Sequence, residues 1–182
     1  MTTTARFALF ETAISTCAIT WGGQGVVGVH LPEATDAALR ARVWRRWPGA
    51  SEGAPPPEIQ SAIEAMVALL GGRSSDLSGI ALDMTGIPEF HQRVYAVART
   101  IPLGSTVSYG EVAARLGEPA WPAARYVGQA LGHNPFPLIV PCHRVIAAGG
   151  KLGGFSARGG ATTKRRLLAR ERAGMIQVPL FT

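Results

Sequence analysis

Cys142-His143-Arg144 sets a nucleophile, a base and a cation side by side. A thiol attacks only as thiolate, and a neighbouring imidazole or guanidinium favours that form. The apolar run Leu138-Ile139-Val140 precedes the triplet and is bracketed by Pro137 and Pro141. Proline lacks a backbone N–H and clashes with the preceding turn, so no ordinary helix passes through here. The segment is expected to be extended, with Cys142 held in a bend that the apolar run draws into the core. Its thiol would sit partly desolvated on the floor of a pocket, with the His143 imidazole and the Arg144 guanidinium close by. A free cysteine also serves as a small core hydrophobe, and on spacing alone that reading is the better one. The flanking chain has to decide.

Upstream, Pro88 to Thr100 reads as a helix with Phe90, Val94, Val97 and Ala98 on its apolar side. Ser108 and Glu111 form a capping box, so a helix begins there and runs to Gly117. Pro122 suits the first turn of a second helix, Ala123 to Leu131, built from small residues around one long cation, Arg125. Two short helices about a glycine turn resemble a helix-turn-helix, and small side chains let a helix backbone approach a nucleic acid closely. The same small residues also suit packing against a core. Asn134 tolerates the left-handed conformation and is expected to cap the second helix, joining it to the cysteine segment. Lys164-Arg165-Arg166 reads as the solvated face of a last helix.

The first half carries no catalytic constellation. Phe7–Phe10, Ala13–Thr20 and Val26–Leu31 read as strands, with Gly22-Gly23-Gln24-Gly25 as a turn. Asp36–Trp47 and Glu58–Leu70 read as amphipathic helices separated by a breaker-rich loop, and Ile80–Asp83 as a last strand before a boundary at Thr85–Pro88. Cys17 and His30, even with His91, are too few for a closed structural zinc site and read as core residues. The 182-residue chain is 47% hydrophobic, with no run of the ~18 apolar residues that a membrane span needs. The Met1–Arg6 segment does not resemble a secretory signal, and two cysteines do not make a disulfide framework, so a reduced, cytoplasmic protein is expected. Charge is divided unevenly. Residues 1–84 carry six Arg, no Lys and eight acids, whereas residues 85–182 carry ten Arg, two Lys and four Glu. Such a basic second half suits a polyanionic partner.

Pro141-Cys142-His143-Arg144-Val145, preceded by Arg125 and Asn134-Pro135, resembles the signature of the O6-alkylguanine-DNA alkyltransferases, the methylated-DNA–protein-cysteine methyltransferases. The resemblance is clear from about Pro88 to Glu171. It implies a mixed α/β fold: a ribonuclease-H-like structural domain over residues 1–86, then a mostly helical domain over residues 87–182 with a DNA-binding helix-turn-helix. It implies a suicide reaction, in which a damaged guanine is flipped from duplex DNA and its O6-alkyl group moves irreversibly to the protein. O4-alkylthymine is a further lesion within its scope. It implies a monomer, no membrane, and no metal or organic cofactor, since the lesion itself is the electrophile.

The resemblance also assigns residues. Cys142 matches the alkyl acceptor, His143 the histidine that deprotonates it through a water, and Glu171 the carboxylate that orients the histidine. Asn134 matches the hinge and Tyr109 the hydroxyl donor to the guanine ring nitrogen. Arg125 matches the finger that fills the vacated stack, with Ala124, Tyr126 and Gly128 on the same DNA-facing helix. Pro141, Val145 (through its carbonyl), Phe155 and Ser156 match the pocket wall. Tyr126 and Gln129 stand where the family usually has Ala and Gly, Phe155 where Tyr is frequent, and the helix-turn-helix loop is longer by about two residues. A non-catalytic lesion sensor of the same fold is the alternative, although such proteins lack the cysteine. A Cys–His hydrolase would need an oxyanion hole, and the basic second half argues against it.

Overall fold

The structure is a computed structural model, and it describes residues 5–173. Its first half is a four-stranded sheet in the order β3-β2-β1-β4. The strands are β1 (Arg6–Phe10), β2 (Cys17–Gly22), β3 (Gly25–His30) and β4 (Ser51–Glu52). β1, β2 and β3 run antiparallel, and the short β4 pairs parallel to β1. Side chains alternate between the faces of a strand. Phe7 and Ala18 accordingly meet Leu39 and Val43 of α1 (Asp36–Arg46), while Ala8, Phe10, Cys17 and Ile19 enter the main core. α2 (Pro57–Leu70) lays Ile59, Ile63, Met66 and Leu70 into that core, which continues through the helical half to Leu167.

Three expectations are corrected in this half. Ala13–Thr16 is not strand. Thr12 Oγ1 donates to Ser15 O at 2.6 Å and Ser15 takes a positive φ of 104°, so the chain turns before β2. The loop after Trp47 includes β4. Ile80–Asp83 forms only one isolated bridge, between Leu82 and Val26. The Arg99 guanidinium takes Ile80 O, together with the Leu77 and Ser78 carbonyls just before the segment. Gly25, at φ 129°, is required there because a Cβ would fall 2.6 Å from Ala81 O.

The second half is built from α3 (Glu89–Arg99), α4 (Tyr109–Arg115), α5 (Ala120–Gly132) and α6 (Gly160–Ala173). The capping box is present: Glu111 N–H donates to Ser108 Oγ at 3.1 Å and Ser108 N–H to Glu111 Oε2 at 2.6 Å. α5 begins at Ala120, three residues before the expected start, with Pro119 at the N-cap position and Pro122 in the first turn as expected. The N–H groups of a first turn have no helical partner, so a proline there costs no bond. β5 (Val107–Ser108) pairs parallel with β6 (Val145–Ile146). That short ladder sets Tyr109, the residue after β5, beside the strand that follows Cys142.

Candidate active site

Cys142 lies in the expected bend, opening a 3-10 turn, Cys142–Arg144, whereas the run before it, expected to be extended, turns at Leu138 and Ile139. The approach to it is tightly specified. Leu138 adopts φ 75°, which for a residue with a Cβ costs about 1–2 kcal/mol. The conformation is held by Val140 N–H donating to Phe136 O at 2.8 Å. Asn134 clamps the same loop at both ends: its Oδ1 accepts from Phe136 N–H at 2.9 Å and its Nδ2 donates to Val140 O at 3.0 Å. Asn134 is therefore not a left-handed helix cap, because α5 already ends at His133 with φ −97°.

Cys142 is 9% exposed. Burial pushes its thiol up, opposed by the Asn134 side chain, the Lys164 charge and the backbone N–H groups of Cys142 and His143. Cys17, the other free cysteine, is pushed up to about 12, mainly by burial, and is inert at neutral pH. The expected guanidinium beside the thiol is elsewhere. Arg144 grips Glu171 through Nε (2.9 Å to Oε2) and Nη2 (2.8 Å to Oε1), and its Nη1 donates to Ile101 O at 2.6 Å. The cation near the thiol is Lys164, which is fully buried, so the expected solvated face consists of Arg165 and Arg166 alone. Lys164 Nζ donates to Val145 O at 2.6 Å and lies 5.7 Å from the Tyr109 ring centroid. Burial lowers its pKa to about 8, against the opposing pull of Cys142.

His143 and Glu171 form a buried pair, Nε2 to Oε1 at 2.6 Å. Burial alone would raise the Glu171 carboxyl, but the hydrogen bonds and charges of His143 and Arg144 outweigh it and hold the pKa at about 2. Glu171 is thus ionised and accepts the proton on Nε2. Nδ1, left without the proton, is buried and meets no hydrogen-bond partner among the described residues.

Cys142 lines a cavity of about 540 Å³ with Tyr109, Ala124, Gly128, Phe155 and Ser156, a size typical of small-molecule sites. Burial, and next the Cys142 charge, raise the Tyr109 hydroxyl pKa, so it is a donor at neutral pH. Gly153, at φ 71°, lets its loop pass Tyr109, since a Cβ would lie 3.2 Å from the hydroxyl. Ala124, Gly128 and Gly132 follow at one-turn spacing and form the α5 side of the cavity. Arg125 stands exposed next to them, and Tyr126, 53% exposed, faces a separate groove against α3. Pro141 lines a different cavity, with Arg99 and Arg144. Val145 presents its carbonyl to Lys164.

Sequence reasoning missed Lys164, the grip of Arg144 on Glu171, and Tyr95. Tyr95 is buried, and its hydroxyl donates to Ala130 O of α5 at 2.9 Å. Lys164 shares one helical face with Leu167, Leu168 and Glu171, and that 3.6-residue pattern was the available signal.

A family model described as the 6-O-methylguanine DNA methyltransferase DNA-binding domain matches residues 89–173. The methylated-DNA–protein-cysteine methyltransferase of Mycolicibacterium paratuberculosis is 47% identical over 117 residues, 64% of this chain and 67% of that protein. The enzyme of the same name from Mycobacterium bovis is 41% identical over 157 residues, covering 85% of this chain and 86% of the relative. The crystal structure of Mycobacterium tuberculosis OGT in complex with DNA superposes with a TM-score of 0.74 at 33% identity, over 93% of this chain and 94% of the other. The chain belongs to the methylated-DNA–protein-cysteine methyltransferase family.

Proposed function

We propose that this chain repairs alkylated duplex DNA by moving the alkyl group from O6 of a flipped guanine to Sγ of Cys142. The observation that carries the reading is the Cys142 thiol opening on a ligand-sized cavity beside a buried His143–Glu171 pair whose Nδ1 has no hydrogen-bond partner among the described residues. The C–O bond to the alkyl carbon breaks as the S–C bond forms. The thiol proton passes through a water to His143 Nδ1, and Glu171 stabilises the imidazolium. Tyr109 donates to the guanine ring nitrogen and neutralises charge as it develops there. Lys164 favours the thiolate and, through Val145 O, steadies the strand behind the pocket. The thioether has no route back, so each chain reacts once. O4-alkylthymine is a second lesion within reach of the same chemistry.

In this reading α4 and α5 are a helix-turn-helix that presents Ala124, Arg125, Tyr126 and Gly128 to DNA. Extruding a base costs a few kcal/mol. Arg125, exposed beside the cavity mouth, fills the vacated stack and offsets part of that cost, while Phe155 stacks on the base. Residues 1–86 act as a ribonuclease-H-like scaffold, residues 87–182 carry the chemistry, and the chain works as a monomer. A pure sensor would have no use for the Cys142 relay. The test is Cys142→Ala: it should bind a lesion duplex and leave its methyl group in place. Demethylation by that variant would contradict the mechanism.

A further inference from the structure

A larger cavity, about 700 Å³, shares Cys142, Phe155 and Ser156 with the first and runs from that rim between the sheet and the helical half. Its outer wall is α1, which contributes Arg42, Arg45 and Arg46. No Asp or Glu lines it among the described residues. Glu33 holds Arg42 at 2.5 Å, whereas Arg45 and Arg46 are exposed and meet no carboxylate among the described residues. Arg46 lies 5.6 Å over the Trp47 ring. The cleft is also lined by His30, which is 7% exposed and whose Nε2 has no hydrogen-bond partner among the described residues. A buried polar nitrogen without a partner is costly unless a ligand supplies one. Burial, reinforced by the charges of Arg42 and Arg46, lowers the His30 pKa to about 4, leaving a neutral ring with one N–H to donate.

We propose that this cleft is a phosphate-binding site, in which Arg45 and Arg46 take phosphodiesters of the lesion strand as it leaves the reaction pocket and His30 supplies a donor from the wall. The assignment rests on the DNA reading above. The two cavities meet at Cys142, Phe155 and Ser156, and a nucleotide flipped into the first keeps its flanking phosphates outside that pocket. The wall beyond is cationic, acid-free and built of guanidinium forks, which match phosphate geometry. This makes α1, in the half read from sequence as scaffold, part of the DNA footprint.

The test compares the wild-type chain with an Arg45→Ala/Arg46→Ala variant for binding to an O6-methylguanine duplex over a range of salt. Both side chains are exposed, and neither belongs to a buried core. Each phosphate contact contributes about 0.9 to the slope of log K against log salt, so loss of roughly 2 units and roughly tenfold in affinity is expected. Arg45→Lys/Arg46→Lys should restore the slope. An unchanged slope overturns the proposal. If these variants abolish binding of inorganic phosphate but leave the DNA slope alone, the cleft serves a free anion and the strand assignment is wrong. Failure of the wild-type chain to gain a methyl group would instead count against the alkyl-transfer reading itself.

Discussion

Glu171 is the residue on which the site's electrostatics turn, because it accepts from both His143 and Arg144 while 2% exposed. Glu171→Gln would leave the Arg144 charge buried without its counter-ion, a loss of about 3–5 kcal/mol of stability. It would also release the His143 tautomer, lowering transfer about 10²-fold or more, as removal of a general base does; single-turnover kinetics would check this. The folded pKa of Glu171, about 2, lies below its ordinary value of 4.5. The stabilisation is therefore complete above pH 4.5 and is lost as pH falls toward 2. Acid unfolding of the wild type should show that window, and Glu171→Gln should lack it. Lys164 behaves in the opposite sense. Its folded pKa is lowered from 10.5 to about 8, so the unfolded chain holds more protons between those values and stability contributed by this group rises with pH there. Lys164→Met should remove that rise in denaturant titrations. It should also move the pH profile of transfer to higher pH, because the thiolate loses its nearest cation.

At the scale of elements, the Asn134 clamp and the Tyr95 strut position the site. Asn134→Ala removes the two side-chain bonds that clamp the Phe136–Val140 loop, leaving only Val140 N–H on Phe136 O to hold Leu138 at its positive φ. Two polar groups lose their partners, so about 2–4 kcal/mol of stability should go, with transfer impaired beyond what the stability loss explains. Tyr95→Phe keeps the packing and removes one of two donors to Ala130 O, which keeps His133 N–H at 3.2 Å, so about 0.5–1.5 kcal/mol should go in a denaturant titration. What the sequence revealed about these elements follows a physical divide. The Ser108–Glu111 box and the α2 stripe were legible because both partners lie within a few residues of each other. Ile80–Asp83 was misread as strand because its pairing with β3 stops at Val26, and Ile80 O is taken instead by Arg99 of α3. Asn134 was misplaced because its acceptor and donor belong to a loop whose shape only the fold defines. Lys164-Arg165-Arg166 looked like one solvated charge run because adjacency hides that position 164 points inward. Cys142 and His143 stood out by residue type and adjacency, Glu171 came only through a resemblance, and the 2.6 Å contact between His143 and Glu171 came from the structure.

Across the whole molecule, the two halves are joined by more than chain. Val29 N–H of β3 donates to Pro135 O at 2.8 Å, immediately after Asn134, so the sheet edge braces the loop that presents the thiol. Arg170 Nη2 reaches Ala13 O at 3.3 Å on the other side. The charge asymmetry then has a place: the basic half carries the reactive cavity, and the arginines of α1 border the cleft that extends it. On the proposed reading, Arg125→Ala should weaken binding to lesion duplex and slow transfer, since the vacated stack would no longer be filled. The measurement that tests the central claim most directly is the intact mass of the chain after incubation with excess O6-methylguanine duplex, followed by peptide mapping. The account predicts one added methyl group, about 14 Da as for a thiolate made into a methyl thioether, on Cys142 and saturating at one per chain. An unchanged mass with the lesion duplex still bound would contradict it.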